Sequence, residues 1–394
     1  MVQKITRLHF IDAMRAWAIL MMLQGHFVDG LLDTVFRDPE NNVYTLWKYF
    51  RGITAPVFFT VSGFIFTYLL IRVPLYGLEN PRIKKGVRRG IQLVLIGYAL
   101  RLNLFGLLEG KLYDSFFFVD VLHCIGISIL TIIGIFWISA RRTTWLFPTL
   151  LLTTTVLLFM FEPIYKEWNY AMIPEGLANY FTRSNGSVFT VIPWVGYTAF
   201  GAFLSVLFTR FKNYKNLYSW AISLSIIAGL GLLFWSSPLF VYLNEITGVS
   251  LYKALSLNNY LFIRLGDVMI VFAIFMIVRR FITHSTFLRI GQNTLSIYVI
   301  HFIILYGSFT GLGLYNYFHH TLTPGMSIAG AVVFMIVCSF VALKYERNEE
   351  AIKNQVAIVR QKLLLGIQRY APYALKLGKD FLNRLHRIFK VTKG

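Results

Sequence analysis

The chain has 394 residues, of which 56% are hydrophobic, 17% aromatic and only 14% charged, with a mean hydropathy of +0.60. No soluble globular domain of this size has that composition. The net charge of +20 is read as a membrane-topology bias plus a basic tail, not as a nucleic-acid footprint.

Apolar stretches long enough to cross a bilayer predict ten transmembrane helices, near 10–32, 51–72, 87–108, 115–139, 145–161, 188–209, 218–237, 259–279, 291–312 and 325–343. The expected fold is all-α: a polytopic membrane helix bundle over residues 1–343, followed by a basic amphipathic helix over 344–394. Lys and Arg concentrate in alternate connections, at Lys4 and Arg7, Arg72 to Arg89, Arg141 and Arg142, Arg210 to Lys215, and Arg279 to Arg289. The opposite loops carry acids such as Asp33, Asp38, Glu40, Glu162, Glu167 and Glu175. Short cytoplasmic loops are enriched in bases, so both termini are expected in the cytoplasm. The first span has no small-residue cleavage site behind a short apolar region and is expected to persist as a helix.

That first span carries Asp12, Arg15, His26 and Asp29. An ionisable group at the bilayer centre costs about 2.5 to 3.5 kcal/mol unless it is paired or lines a wet cavity, which makes each one a functional candidate. Arg15 and His26 are eleven residues apart. Eleven steps of helix return to nearly the same face about 16 Å farther along. Asp12 and Arg15 therefore mark an inner layer, and His26 and Asp29 an outer one.

Arg51 opens the second span on the outer side. The next inner connection holds the densest basic cluster between any two spans, Arg82, Lys84, Lys85, Arg88 and Arg89. Positive-inside topology accounts for such a cluster by itself, but not for Arg15 within the helix. A phosphate-bearing ligand arriving from the cytoplasm would meet these bases first and Arg15 next. Farther along, Asp120 and His123 lie three apart in the fourth span, Arg264 and Asp267 three apart in the eighth, and His301 near the middle of the ninth. Each has a plain alternative. Arg264 and Asp267 can neutralise one another, and His123 or His301 can hydrogen-bond a neighbouring helix. Four spans with polar groups at similar depth nevertheless predict a shared cavity facing inward.

A histidine there can act as a general base, with a carboxylate holding its tautomer. His26 is the candidate, with Asp29 nearest in sequence and Asp120 able to approach from another helix. There is no G-x-S-x-G elbow, H-E-x-x-H pair or P-loop. Cys124 and Cys338 fall inside spans with no metal-ligand spacing, so no metal is expected. From Lys344 to Gly394, twelve Lys or Arg stand against four acids. Leu363, Leu364, Ile367, Leu375, Phe381, Leu382, Leu385 and Phe389 recur at helical spacing, as in a helix lying on anionic membrane lipids.

Arg15 and His26 resemble the arginine-and-histidine motif in the first span of the membrane-bound acyltransferase family three. The fuller pattern resembles bacterial relatives of the heparan-alpha-glucosaminide N-acetyltransferase catalytic domain. It is carried by Ile11-Asp12-Ala13-Met14-Arg15, Gly25-His26, Arg51-Gly52-Ile53-Thr54-Ala55-Pro56, Asp120-Val121-Leu122-His123-Cys124-Ile125-Gly126, Ile192-Pro193-Trp194-Val195-Gly196 and Gly291-Gln292-Asn293-Thr294, the last running on to His301. The resemblance covers roughly residues 7 to 310. It implies an acyltransferase in a bacterial cytoplasmic (inner) membrane, moving an acyl group, usually acetyl, from cytoplasmic acyl-CoA (acetyl-CoA) to a sugar or glycan acceptor near the outer face. His26, with Asp29 and Arg15, would be catalytic. Arg15, Arg82, Lys84, Lys85, Arg88 and Arg89 would bind the acyl donor, while Arg51, Asp120, His123, Arg264, Asp267 and His301 would serve the acceptor. A homodimer is compatible with this reading. The competing class is a proton- or anion-coupled transporter, since buried Arg, His and Asp also mark transport pathways. Missing repeat symmetry speaks against it.

Overall fold

The computed structural model describes residues 7–75, 77–139 and 144–391, with side chains described, apart from Leu78, as far as Leu365 and at scattered positions beyond. Lys4, Arg141 and Arg142, and the side chains of Ile367, Leu375, Phe381, Leu382, Leu385 and Phe389, lie outside the described residues.

The chain is a succession of helices. Helix α1 (His9–Leu31) is followed by α2 (Asn42–Ile71), α3 (Pro81–Arg101) and a short α4 (Leu104–Leu108). Helices α5 (Val121–Ser139) and α6 (Leu146–Met160) lead through the one-turn helices α7 (Glu162–Tyr165) and α8 (Glu175–Ala178) to α9 (Val191–Arg210) and α10 (Leu217–Phe234). Then come α11 (Ser236–Thr247), α12 (Ser250–Leu257), α13 (Tyr260–Val278), α14 (Ser285–Gln292), α15 (Thr294–Tyr306), α16 (Leu314–Phe318) and α17 (Pro324–Arg347). A final helix, α18 (Glu349–Val391), contains Pro372 and exposes Leu363 and Leu364. The fold divides into two compact units between Phe340 and Val341, within α17.

Among the described residues, six helical stretches are long and apolar enough to cross a membrane, or up to seven if a bent pair counts as one span. The protein is thus a polytopic helical membrane protein, but the expected count of ten is not reached. Each shortfall has a physical reason. Helix α1 carries Asp12, Arg15 and Asp29 along its length, α6 has only 15 residues, and the third segment begins with a run of bases. The ninth span, expected as one helix, is broken at Asn293, where α14 and α15 meet at 74°. The basic connection is also not a loop. Asn80 accepts a hydrogen bond from the Arg82 N–H, Pro81 occupies the first helical position, and Arg82 to Arg89 form the opening turns of α3.

Helix α2 is 30 residues long, about 45 Å, and so exceeds the roughly 30 Å hydrocarbon core. Asn41 caps its start by accepting from Val43 and Tyr44 N–H. Within it Pro56 lacks the N–H that would bond the Gly52 carbonyl. The Tyr260 hydroxyl donates to that carbonyl instead, at 3.5 Å. Helices α2 and α9 approach closely because Gly63 lies on the Thr198 carbonyl and Gly201 on the Thr60 carbonyl, where any side chain would collide with backbone.

The core beside them is aromatic and aliphatic, from Phe10, Met14, Val57, Val61, Phe64, Val268 and Phe272. Its position matters for the site, because it fixes the N-terminal half of α1 against α2 and α13. Helix α15 is tied to α1 at two heights. Arg15 bonds Thr294 near one end, and His26 bonds Tyr306 near the other, so the two helices run side by side in the same direction.

Candidate functional site

The C-terminal half of α1 and the end of α15 wall a cavity of about 580 Å³ whose lining includes His26, Arg101, Asp120, Tyr298, Tyr306 and Tyr315. Three elements bring these groups together. After α15, Phe309 takes a positive φ of 72° and exchanges backbone hydrogen bonds with the end of α3: its N–H donates to Leu102 O at 3.0 Å, and its carbonyl accepts from Leu104 N–H at 2.9 Å. This pins Arg101 beside Tyr306. Arg101 then forks onto Asp120, from Nε to Oδ2 at 2.6 Å and from Nη2 to Oδ1 at 2.8 Å, anchoring the approach to α5. Paired charges of this kind can be tolerated away from water because each satisfies the other.

His26 is half-buried and forms one described side-chain hydrogen bond, between Nδ1 and the Tyr306 hydroxyl at 2.8 Å. The carboxylate partner expected from the sequence is absent. Asp29, one turn farther along α1, forms an ion pair with Arg51, and Asp120 is committed to Arg101. A tyrosine hydroxyl therefore stands where a carboxylate was expected. If Nδ1–H donates to it, Nε2 is left with the free lone pair of a base.

His301 is fully buried, its ring 5.3 Å from that of His26 and edge-on to it, and 4.8 Å from Tyr298. Neither of its nitrogens makes a hydrogen bond of good geometry among the described residues. Because Thr294 and Tyr306 mark the two heights of α15, His301 lies between the Arg15 contact and the His26 contact.

A second cluster is built on the first turns of α1 and the α14–α15 break. Arg15 donates to Thr294 Oγ1 at 2.9 Å and lies 3.9 Å from Asp12, which accepts from Gln292 at 3.2 Å and has Arg7 at 3.8 Å. Gly291 sits against the Asp12 carbonyl, so the broken span packs on α1 without intervening side chain. Lys84, Lys85, Arg88 and Arg89 are exposed and Arg82 half-buried at the start of α3, and Arg89 lies within electrostatic reach of Arg15. Cations in the first turn of a helix oppose its dipole, so Arg82 and Lys84 do not stabilise the start of α3 through it.

The remaining expected residues lie apart from the cavity. His123 accepts the Asp120 N–H at 3.1 Å and packs edge-on to Tyr98 at 4.4 Å, over Gly97, which leaves no room for a side chain. It closes the start of α5. Arg264 and Asp267 do neutralise one another, at 2.9 Å. Tyr49 donates to the same carboxylate at 2.6 Å, and the guanidinium lies over the Tyr49 ring at 4.6 Å and against Gly52. This cluster braces α13 against the start of α2. Sequence reasoning passed over Arg101 and Tyr306, and named Thr294 only as part of the family pattern, without a role. The available signal was a hydroxyl or guanidinium inside an apolar segment, since a buried tyrosine hydroxyl usually finds a partner. Among the described residues no three His, Cys, Asp or Glu side chains converge on a metal-binding geometry.

Residues 7–246 match the family described as "Heparan-alpha-glucosaminide N-acetyltransferase, catalytic". No curated protein matches the chain.

Proposed function

The chain belongs to the heparan-alpha-glucosaminide N-acetyltransferase catalytic family, a family of membrane acetyltransferases, and from that premise we propose that it transfers acetyl from cytoplasmic acetyl-CoA to an amino sugar or glycan at the opposite face, with His26 as general base. The observation that carries the reading is the alignment along α1 and α15. A cationic inner cluster at Arg15 and an imidazole in an outer cavity are joined by one helix seam, with the bases of α3 at the inner end.

In this reading the phosphates of CoA bind Lys84, Lys85, Arg88 and Arg89, and Arg15 steers the pantetheine arm into the seam. His301, on the inward side of His26, meets the thioester carbonyl and donates to its developing negative charge. Tyr306 holds the His26 tautomer. The acceptor, in the cavity, attacks the carbonyl carbon as its proton passes to His26 Nε2. The carbon–sulfur bond then breaks and the departing thiolate takes that proton, leaving acetylated acceptor and free CoA. Arg101 and Asp120 orient acceptor hydroxyls from the cavity wall, while Arg51, held by Asp29, lies behind His26 against Gly25. Both termini are cytoplasmic in this orientation, in a bacterial inner membrane.

The test uses purified protein in lipid nanodiscs with labelled acetyl-CoA and glucosamine-type acceptors. Acceptor-dependent CoA release that falls about 10²–10⁴-fold in His26→Ala supports the proposal. Undiminished transfer by a folded His26→Ala protein overturns it.

A further inference from the structure

A cavity of about 500 Å³ shares no lining residue with the first and takes no part in the chemistry above. Thr190, Ile192 and Trp194 from the start of α9, and Asn258, Tyr260 and Leu261 from the start of α13, form one part of its wall. Both helices are long and apolar enough to cross a membrane. The cavity therefore lies where two apolar spans end, at the level of lipid headgroups.

The chemistry of the wall favours a negatively charged guest. The first N–H groups of a helix have no partner within it and together act as roughly half a positive charge. Neither α9 nor α13 has a side chain capping these groups. Thr190 instead donates its hydroxyl to the Ile192 carbonyl, and Asn259 donates to Ser236 and Ser237. The turn before α9 adds the Arg183 guanidinium between the hydroxyls of Thr182 and Ser184, and the end of α7 adds the Lys166 ammonium. Lys166 lies 3.8 Å from Glu162, the one acid in the lining, whereas Arg183 is exposed and makes no ion pair among the described residues.

Uncapped helix ends and surface cations are common, and Trp194 is what sets this cavity apart. It is 4% exposed, with its ring against Phe59 at 5.1 Å and Phe189 at 4.7 Å, and its indole N–H has no hydrogen-bond partner among the described residues. A buried donor left unpaired is costly. Indole can only donate, so the partner it lacks is an acceptor, as it is for the helix ends and Arg183.

We infer that this cavity is a phosphate site, holding one phosphate group of a lipid headgroup or of a soluble molecule between the start of α9, the Trp194 indole and Arg183. Donors from three separate segments suit a tetrahedral oxyanion, which accepts from all sides, better than a planar carboxylate. The site stands independently of the acetyl transfer.

The experiment titrates the full chain, stripped of lipid in detergent, with inorganic phosphate at constant ionic strength, and separately with phosphatidylglycerol against diacylglycerol of the same chains. Calorimetry gives the affinities, and melting curves show which variants fold. In Arg183→Gln, at the exposed rim, Kd is expected to rise about tenfold or more, as for loss of a charge-assisted hydrogen bond. In Trp194→Phe, which keeps the aromatic wall and removes the N–H, it rises about three- to tenfold. Arg183→Gln carries the test by itself should Trp194→Phe not fold. Phosphatidylglycerol that binds with this dependence, where diacylglycerol does not, supports the site with the headgroup as its source. Inorganic phosphate that binds with the same dependence, without an effect of the phospholipid, supports it with a soluble source. Binding of neither, or an affinity unmoved in Arg183→Gln, overturns the phosphate site.

Discussion

Replacing Tyr306 with Phe isolates the single contact that distinguishes this site from a carboxylate–histidine dyad. The substitution keeps the ring, and with it the packing against Phe302 at 4.9 Å and Tyr315 at 5.7 Å, and removes only the hydroxyl that meets His26 Nδ1 at 2.8 Å. A neutral hydrogen bond of this kind is worth about 0.5 to 1.5 kcal/mol net. If its role is to hold the imidazole with Nε2 unprotonated, loss of that preference slows acetyl transfer about two- to thirteen-fold at 1.36 kcal/mol per decade of rate. Removing the base itself costs about 10²–10⁴-fold, so the two effects separate cleanly. The assay is the initial rate of thiol release from acetyl-CoA in nanodiscs at saturating acceptor, with thermal stability measured in parallel. Tyr306→Phe is expected to lower kcat by that modest factor and leave the KM for acetyl-CoA unchanged. A rate equal to that of the parent protein would show that the hydroxyl does not orient His26. A loss as deep as that of His26→Ala in a folded protein would show that Tyr306 belongs to the chemistry itself, and either result refutes the reasoning.

Asp29→Asn tests the carboxylate the sequence favoured; because Asp29 pairs with Arg51 in a partly exposed position, stability should change by less than about 1 kcal/mol and kcat by less than about threefold, read from melting curves and initial rates. Arg101→Gln leaves the Asp120 carboxylate buried without its forked partner, and unfolding should become easier by about 3–5 kcal/mol, seen as a lower Tm in detergent. Neutralising Lys84, Lys85 and Arg88 together should raise the KM for acetyl-CoA about tenfold at low ionic strength with little change in kcat. That difference should shrink in 0.5 M salt, because the exposed charges are screened beyond about 4 to 5 Å there.

Much of the site was legible because charge is expensive in an apolar helix. Arg15, His26, Asp120, Arg264 and Asp267 could be singled out by type and depth alone, and the plain reading of Arg264 with Asp267 as mutual neutralisation holds in the structure. Their grouping was not legible. The expectation that Asp29 or Asp120 holds His26 failed because each carboxylate has a nearer cation, Arg51 on α2 and Arg101 on α3, and sequence distance does not rank partners on different helices. Tyr306 was overlooked because tyrosine counts as apolar in a hydropathy pattern, while its hydroxyl acts only where the fold aims it.

The linear order of residues fixed what is local: apolar length, the clustering of bases in alternate connections, the eleven-residue return of Arg15 and His26 to one helix face, and a family pattern that matches residues 7–246. Those follow from helix geometry and from the cost of leaving water, and both act within a segment. Three-dimensional packing alone decided that the ninth span breaks at Asn293, that α15 lies alongside α1, and that a tyrosine rather than a carboxylate meets His26. It also set two cavities on either side of Phe189 and Trp194. These outcomes depend on which helix surfaces can approach closely enough to touch, and glycines such as Gly291 grant that approach only once their partner backbone is in place.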